Sequence, residues 1–266
     1  MFVNSRRTSN KLFWATLLAL VVVSAAMCED GNEASLNASG GAPSSSGLTP
    51  ASILAKFLEA NRLQQEALRE SRMEVQIDGR LPKLKREASL RGSRQVAPSG
   101  EIIYEAIASS GDSMVRKEVI AKYIAAETEA SASLVHGNGK VKSIGINPDN
   151  YKFKYKGLAR LVDRQAYVFQ VTPRQKRLGL FKGEIWVDAE TYQSLREKGV
   201  FVKNPSIYLR KVEFDRQYEL RDGFAVPVKV ATKIDTRVGL KAELDVRFSH
   251  FSNPLTAQSR FCPLGW

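Results

Sequence analysis

Apolar residues change their period along this chain. After Thr49 they recur at helical spacing: Ile53 and Phe57, Leu54 and Leu58 form one face, with Leu63, Ala67 and Leu68 placed to extend it. Thr49-Pro50 is a helix start, the hydroxyl serving as N-cap and the proline standing where no N–H is needed. Such a face either packs on a sheet or moves aside to admit a ligand. Past Glu74 the period becomes two. Strands are expected over 101–108, 151–155 and 165–171, the last apolar on both faces and therefore central. Val226, Val228, Val230 and Ile234 alternate with polar residues, as do Leu240, Ala242, Leu244, Val246 and Phe248. Turns are expected at 188–190, at Arg221-Asp222-Gly223 and over 236–239, so the C-terminal half is a meander. Met114 to Ala130 interrupts it, starting β-like and ending helical.

Long antiparallel strands with one-sided apolar faces, plus a helix or two, imply an α+β, mainly antiparallel protein: a highly curved sheet or unclosed β-barrel with helices over its concave face. If the helices fill that face it is simply a core. If they cover it loosely it is a cavity able to take acyl chains.

The N-terminus bears on location. Arg6, Arg7 and Lys11 precede an apolar run from Leu12 to Val23 and the small residues Ser24, Ala25 and Ala26, the order of a secretory signal. Counted to Met27 the run is 16 residues, short of the roughly 20 that cross a bilayer. Residues 1–28 are therefore expected to be a leader for export to the periplasm, with an uncleaved anchor or lipidation at Cys28 as alternatives. Residues 29–48, rich in Gly, Ser and Ala, form a flexible linker, 49–252 a single domain and 253–266 a tail. Cys262 is either a lone thiol or the partner of a retained Cys28.

The chain's 266 residues are 43% hydrophobic and 26% charged, a globular composition with a net charge of +12. Two histidines and two cysteines are too few for a Cys/His zinc site or a disulfide framework, and no cofactor or catalytic array is called for. Asp188-Ala189-Glu190 reads as a hairpin turn; His250 falls in phase with Leu244, Val246 and Phe248 and is expected to be buried; His136 in its Gly-rich loop has no assigned role. Cations crowd Arg80, Lys83, Lys85, Arg86, Arg91 and Arg94, and again Arg174, Lys176 and Arg177. An export signal and the lack of a recognition helix argue against nucleic acid. A solvated polar face accounts for most of these charges, and Arg174, Lys176 and Arg177 are candidates for transient contact with an anionic membrane surface.

From Tyr151 to Pro227 the sequence resembles the bacterial lipoprotein-sorting and lipoprotein-carrier superfamily, LolA/LolB-like, with the RseB/MucB group as relatives. The matching features are Gly157 before a strand, Tyr167-Val168-Phe169, Pro173 with its basic turn, Gly183-Glu184-Ile185-Trp186-Val187-Asp188, and Tyr218 followed by Pro227. Residues 74–100 fit that pattern poorly. The resemblance implies roughly eight to eleven strands and a non-enzymatic, monomeric envelope protein that binds a lipid, lipoprotein or other amphiphile in a hydrophobic interior. A regulator that senses envelope stress through the same fold and a protein partner is the alternative. Candidate cavity-lining residues are Tyr155, Phe169, Trp186, Phe214, Val228, Val230, Leu244 and Val246, although Trp186 shares its strand face with Glu184 and Asp188.

Overall fold

The structure, a computed structural model, describes residues 48–136, 145–161, 163–204, 209–221 and 223–253. The leader, nearly all of the linker, Cys28, Cys262 and the Gly-rich loop after His136 lie outside the described residues.

Helix α1 spans Pro50–Ala67 and begins as its sequence dictates: Thr49 Oγ1 accepts a hydrogen bond from the Ser52 N–H at 3.2 Å, and Pro50 opens the first turn. Ile53 and Phe57 are buried. Ten strands follow: β1 (Arg72–Leu81), β2 (Arg86–Val96), β3 (Ile102–Gly111), β4 (Tyr151–Leu161), β5 (Arg164–Pro173), β6 (Phe181–Asp188), β7 (Ser194–Phe201), β8 (Leu209–Arg221), β9 (Phe224–Thr236) and β10 (Lys241–Ser252). They form one antiparallel sheet in the order β3-β2-β1-β10-β9-β8-β7-β6-β5-β4. The first and last strands pair with each other within the sheet, and β3 and β4 remain as unpaired edges, so the sheet is unclosed. Register shifts at Arg72/Glu74, Arg91/Gly92, Tyr155/Gly157 and Gln217/Tyr218 are bulges of the kind that bend and twist a sheet.

The chain travels from edge β3 towards edge β4 through a second helix, α2, composed of Ser113–Val115, a π-helical turn at Arg116–Ile120, and Ala121–His136. Asp112 caps it, its Oδ1 accepting from the N–H groups of Met114 and Val115 at 2.9 and 3.0 Å. The segment expected to start as a strand is thus helical throughout. Val115, Val119, Ile120 and Tyr123 share one buried face, and the wider π-turn brings the consecutive Val119 and Ile120 to the sheet together. Gly79 on β1 permits that approach, because a Cβ there would lie 3.0 Å from Val115 Cγ1 and 3.1 Å from Ile120 Cγ1.

Two apolar clusters occupy the concave side. Under α2 lie Met73, Val75, Ile77, Val230, Leu244, Val246 and Phe248; under α1 lie Tyr151, Phe169, Val171, Phe181, Ile185 and Phe214. Each fully buried large side chain contributes about 1.5–3 kcal/mol relative to exposure, so the helices are structural parts of the core. Residues 74–100 supply β2 and all of β1 but its first two residues. β5, expected at the centre, is next to an edge. Ala166 and Val168 on one face and Phe169 and Val171 on the other are buried there.

Candidate functional site

A cavity of about 120 Å³ opens at one end of the concave side, between the π-turn of α2 and the β9–β10 hairpin. Leu81, Val119, Tyr123, Ile234, Leu240 and Leu244 wall it, and Met114, Glu118 and Lys241 stand at its more exposed margin. For scale, an engineered apolar cavity of about 150 Å³ accepts benzene and stays free of water. The space therefore suits a ring or the end of one alkyl chain. It is too small for several acyl chains in the conformation described.

Two buried ion pairs are each tied to a tyrosine. Arg94 on β2 and Glu127 on α2 are each about 1% exposed, and the guanidinium donates to Glu127 Oε1 from Nε at 3.2 Å and from Nη2 at 3.0 Å. Tyr104 on β3 donates to Glu127 Oε2. Burial works against the Arg94 charge, but Glu127 and the neighbouring phenols outweigh it and raise the arginine's pKa. Burial, with the Glu127 charge beside it, pushes the Tyr104 and Tyr123 phenols up, so both stay protonated. In the second pair Arg216 Nη1 donates to Glu197 Oε2 at 2.7 Å, and the Tyr218 hydroxyl donates to Glu197 Oε1 at 3.1 Å. Arg216 Nε and Thr232 Oγ1 are buried without a hydrogen-bond partner among the described residues. Thr232 faces Leu244 across the β9–β10 pair.

Of the eight expected lining residues, Leu244 reaches the cavity. Phe169 and Phe214 are buried in the α1 cluster with Tyr155 packed against them, Phe169 and Tyr155 at 5.4 Å between ring centroids. Val230 and Val246 are packed under α2, and Val228 is half-buried on the same strand as Val230. Trp186 lies on the opposite face from the buried Ile185 and Val187, where the Arg196 guanidinium covers its ring at 5.3 Å. It is an outer-face residue because alternation holds through β6.

The hairpin at 188–190 is as expected, but Asp188 does more than turn the chain. Its buried carboxylate accepts from Arg164 Nε and Nη2 at 2.7 and 2.9 Å and from the Thr191 N–H and hydroxyl at 2.9 and 2.8 Å. His250 is not buried; its side chain is 75% exposed, 3.2 Å from Glu74. The Arg72/Glu74 register shift and a positive φ at His250 carry it out of phase with the core residues before it. Arg174 and Lys176 are exposed, Arg174 donating to the Pro148 carbonyl at 2.7 Å, whereas Arg177 is half-buried and donates to Asn150. Asn253, expected to begin the tail, is buried and donates to the Arg69 carbonyl at 3.1 Å.

Sequence reasoning missed the α2 side of the cavity, for which Asp112 before Ser113 was a legible helix-start signal. It also treated Arg94 as solvated. Among the described residues no group of three His, Cys, Asp or Glu side chains could hold a metal ion, and no helix is long and apolar enough to cross a membrane.

No protein-family model matches the chain, and no curated protein does. Among solved structures it is similar to a DUF1329 family protein from Desulfovibrio piger, with 12% identity, a TM-score of 0.43, and 76% of this chain and 93% of that one covered. It is similar to a putative outer membrane lipoprotein-sorting protein domain from Vibrio parahaemolyticus, with 10% identity, a TM-score of 0.42, and coverage of 74% and 90%. A LolA superfamily protein from Nitrosomonas europaea gives 12% identity, a TM-score of 0.36, and coverage of 78% and 94%.

Proposed function

We propose that this chain is an exported envelope protein that binds an amphiphile, seating one alkyl chain or ring in the cavity between α2 and the β9–β10 hairpin. The observation that carries the reading is that cavity: about 120 Å³, walled by Leu81, Val119, Ile234, Leu240 and Leu244. Its volume selects for single-chain ligands. A cargo with several acyl chains requires α1 or α2 to lift, and α1 is the looser of the two, being held chiefly by Ile53, Phe57 and the bond from Gln64 Nε2 to the Ala225 carbonyl at 2.6 Å.

The test is titration with a fluorescent medium-chain fatty acid. Saturable binding is expected in the parent, and Ala242→Leu, which adds volume to the cavity wall, should weaken it at least about tenfold while leaving melting unchanged or raised, since an added methylene group is worth about 0.8 kcal/mol when buried in existing space. No saturable binding, or equal binding by the filled variant, would refute the reading. In native mass spectrometry a co-purifying lipid supports a carrier, whereas a stoichiometric protein partner without lipid would favour the regulator.

A further inference from the structure

The hairpins β1–β2, β5–β6 and β9–β10 all turn at the same end of the sheet, a consequence of the antiparallel order β1-β10-β9-β8-β7-β6-β5. The first and last are neighbours: Arg80 pairs with Glu243, and Lys83 Nζ lies 3.9 Å from where a Cβ on Gly239 would sit. The β5–β6 connection is joined to the same rim, where the Val202 N–H donates to the Leu180 carbonyl at 3.0 Å.

Each of the three connections carries one exposed aliphatic residue with cations beside it. Leu84 is 41% exposed between Lys83 and Lys85; Leu178 is 43% exposed after Arg174 and Lys176; Val238 is 69% exposed next to Arg237. Lys83, Lys85, Lys176 and Arg237 make no ion pair among the described residues, and Arg174 donates only to a backbone carbonyl. Against these cations stand Glu87, which faces Arg80 at 3.9 Å, Asp149 on the loop before β4, Asp112, 3.6 Å from Arg86, and Asp235, which is already paired with Arg210 at 3.1 Å and Lys241 at 3.9 Å. Isolated exposed aliphatics need no explanation. Their repetition on three connections of one rim, each flanked by unneutralised cations, does.

We infer that this rim docks on an anionic phospholipid bilayer, with Leu84, Leu178 and Val238 entering the headgroup layer and the surrounding Lys and Arg side chains meeting lipid phosphates. Cations near such a surface attract it over a Debye length, and aliphatic tips gain by leaving water. A polyanion such as nucleic acid would engage the cations but give the aliphatic tips no apolar phase to enter. The cavity shares Leu240 and Lys241 with this rim, although the docking surface stands whether or not the cavity holds a chain.

Sedimentation of the full chain with vesicles tests it, comparing phosphatidylcholine alone with phosphatidylcholine containing phosphatidylglycerol. The parent should sediment with the anionic vesicles alone, less so as salt rises. The combined variant Lys83→Gln, Lys85→Gln, Arg237→Gln should partition at least about tenfold more weakly at about 0.1 M salt. The combined variant Leu84→Ser, Leu178→Ser, Val238→Ser should lose binding several-fold at low and high salt alike. All six positions are exposed, so circular dichroism should report an unchanged fold. A control neutralising Lys154, Lys156 and Arg160 on edge strand β4 should bind as the parent does. The inference is overturned if the parent does not sediment with anionic vesicles, if the β4 control loses as much, if the serine variant binds unchanged, or if duplex DNA binds as tightly as the vesicles. Loss of fatty-acid binding with vesicle binding intact would instead count against the cavity reading alone.

Discussion

Replacing Glu127 by leucine removes the acceptor of three buried hydrogen bonds at once: two from Arg94, at 3.2 and 3.0 Å, and one from Tyr104. Both members of the ion pair are about 1% exposed, so water cannot take the carboxylate's place. Breaking a buried pair by removing one partner costs about 3–5 kcal/mol, and the stranded Tyr104 hydroxyl works in the same direction. Against a domain stability of about 5–15 kcal/mol, the variant should melt well below the parent, by roughly 10 °C. Arg94→Met should cost a similar amount, leaving a carboxylate buried without its cation. The double variant, with apolar side chains in both places, should recover most of either loss, because the desolvation cost of two charges disappears together with their attraction. Urea unfolding at 25 °C of the four proteins closes the cycle, with equal slopes required for the midpoints to be compared. A loss below about 1 kcal/mol in Glu127→Leu, or a double variant as unstable as the two single losses added, would show that the pair is not the buried and coupled unit described.

Thr232→Val removes a buried hydroxyl with no partner among the described residues and preserves its shape, so the urea midpoint should stay level or rise by up to about 1 kcal/mol equivalent; a clear fall would mean that the hydroxyl is bonded. Gly183→Ala should destabilise by about 1–3 kcal/mol or more, since a Cβ there would lie 2.0 Å from the Lys198 carbonyl oxygen and 2.6 Å from Gly199 Cα; an unchanged melting temperature would contradict the close pairing of β6 and β7. Burial pushes the Asp188 carboxyl up, but the hydrogen bonds from Arg164 and Thr191 outweigh it and hold it below the ordinary carboxylate range. Its contribution is therefore fully present above the unfolded pKa of about 3.9 and is lost as pH falls through the lowered folded value. Stability measured from about pH 5 downward should fall less steeply in Asp188→Asn than in the parent, and parallel curves would refute the assignment.

The elements that the sequence determined unaided are those whose signals are local. Thr49-Pro50 sets the start of α1 through a bond made three residues away, and the alternation of Val226, Val228 and Val230, like that of Leu244, Val246 and Phe248, marks β9 and β10. The turn at 236–239 is equally local, the Gly239 N–H donating to the Thr236 carbonyl at 3.2 Å. Periodicity states which residues share a face. It does not state what that face meets. Arg94 stands in phase with Ala88, Leu90 and Val96, a face its charge alone would not suit, and it is buried because Glu127, 33 residues away in sequence, arrives on α2 to meet that charge. His250 is in phase with the core by count, and it is exposed because a bulge between β1 and β10 shifts the register. The joining of the N-terminal strands to the C-terminal ones is likewise a non-local event, since β1 pairs with β10 across nearly the whole described chain. Tyr155, Phe169 and Phe214 belong to the core because α1 packs above them, and a cavity lies where α2 and the β9–β10 hairpin do not close over Leu244. Whether a concave apolar face becomes pocket or core depends on the volume that distant segments bring to it, and that volume exists only after the chain has packed.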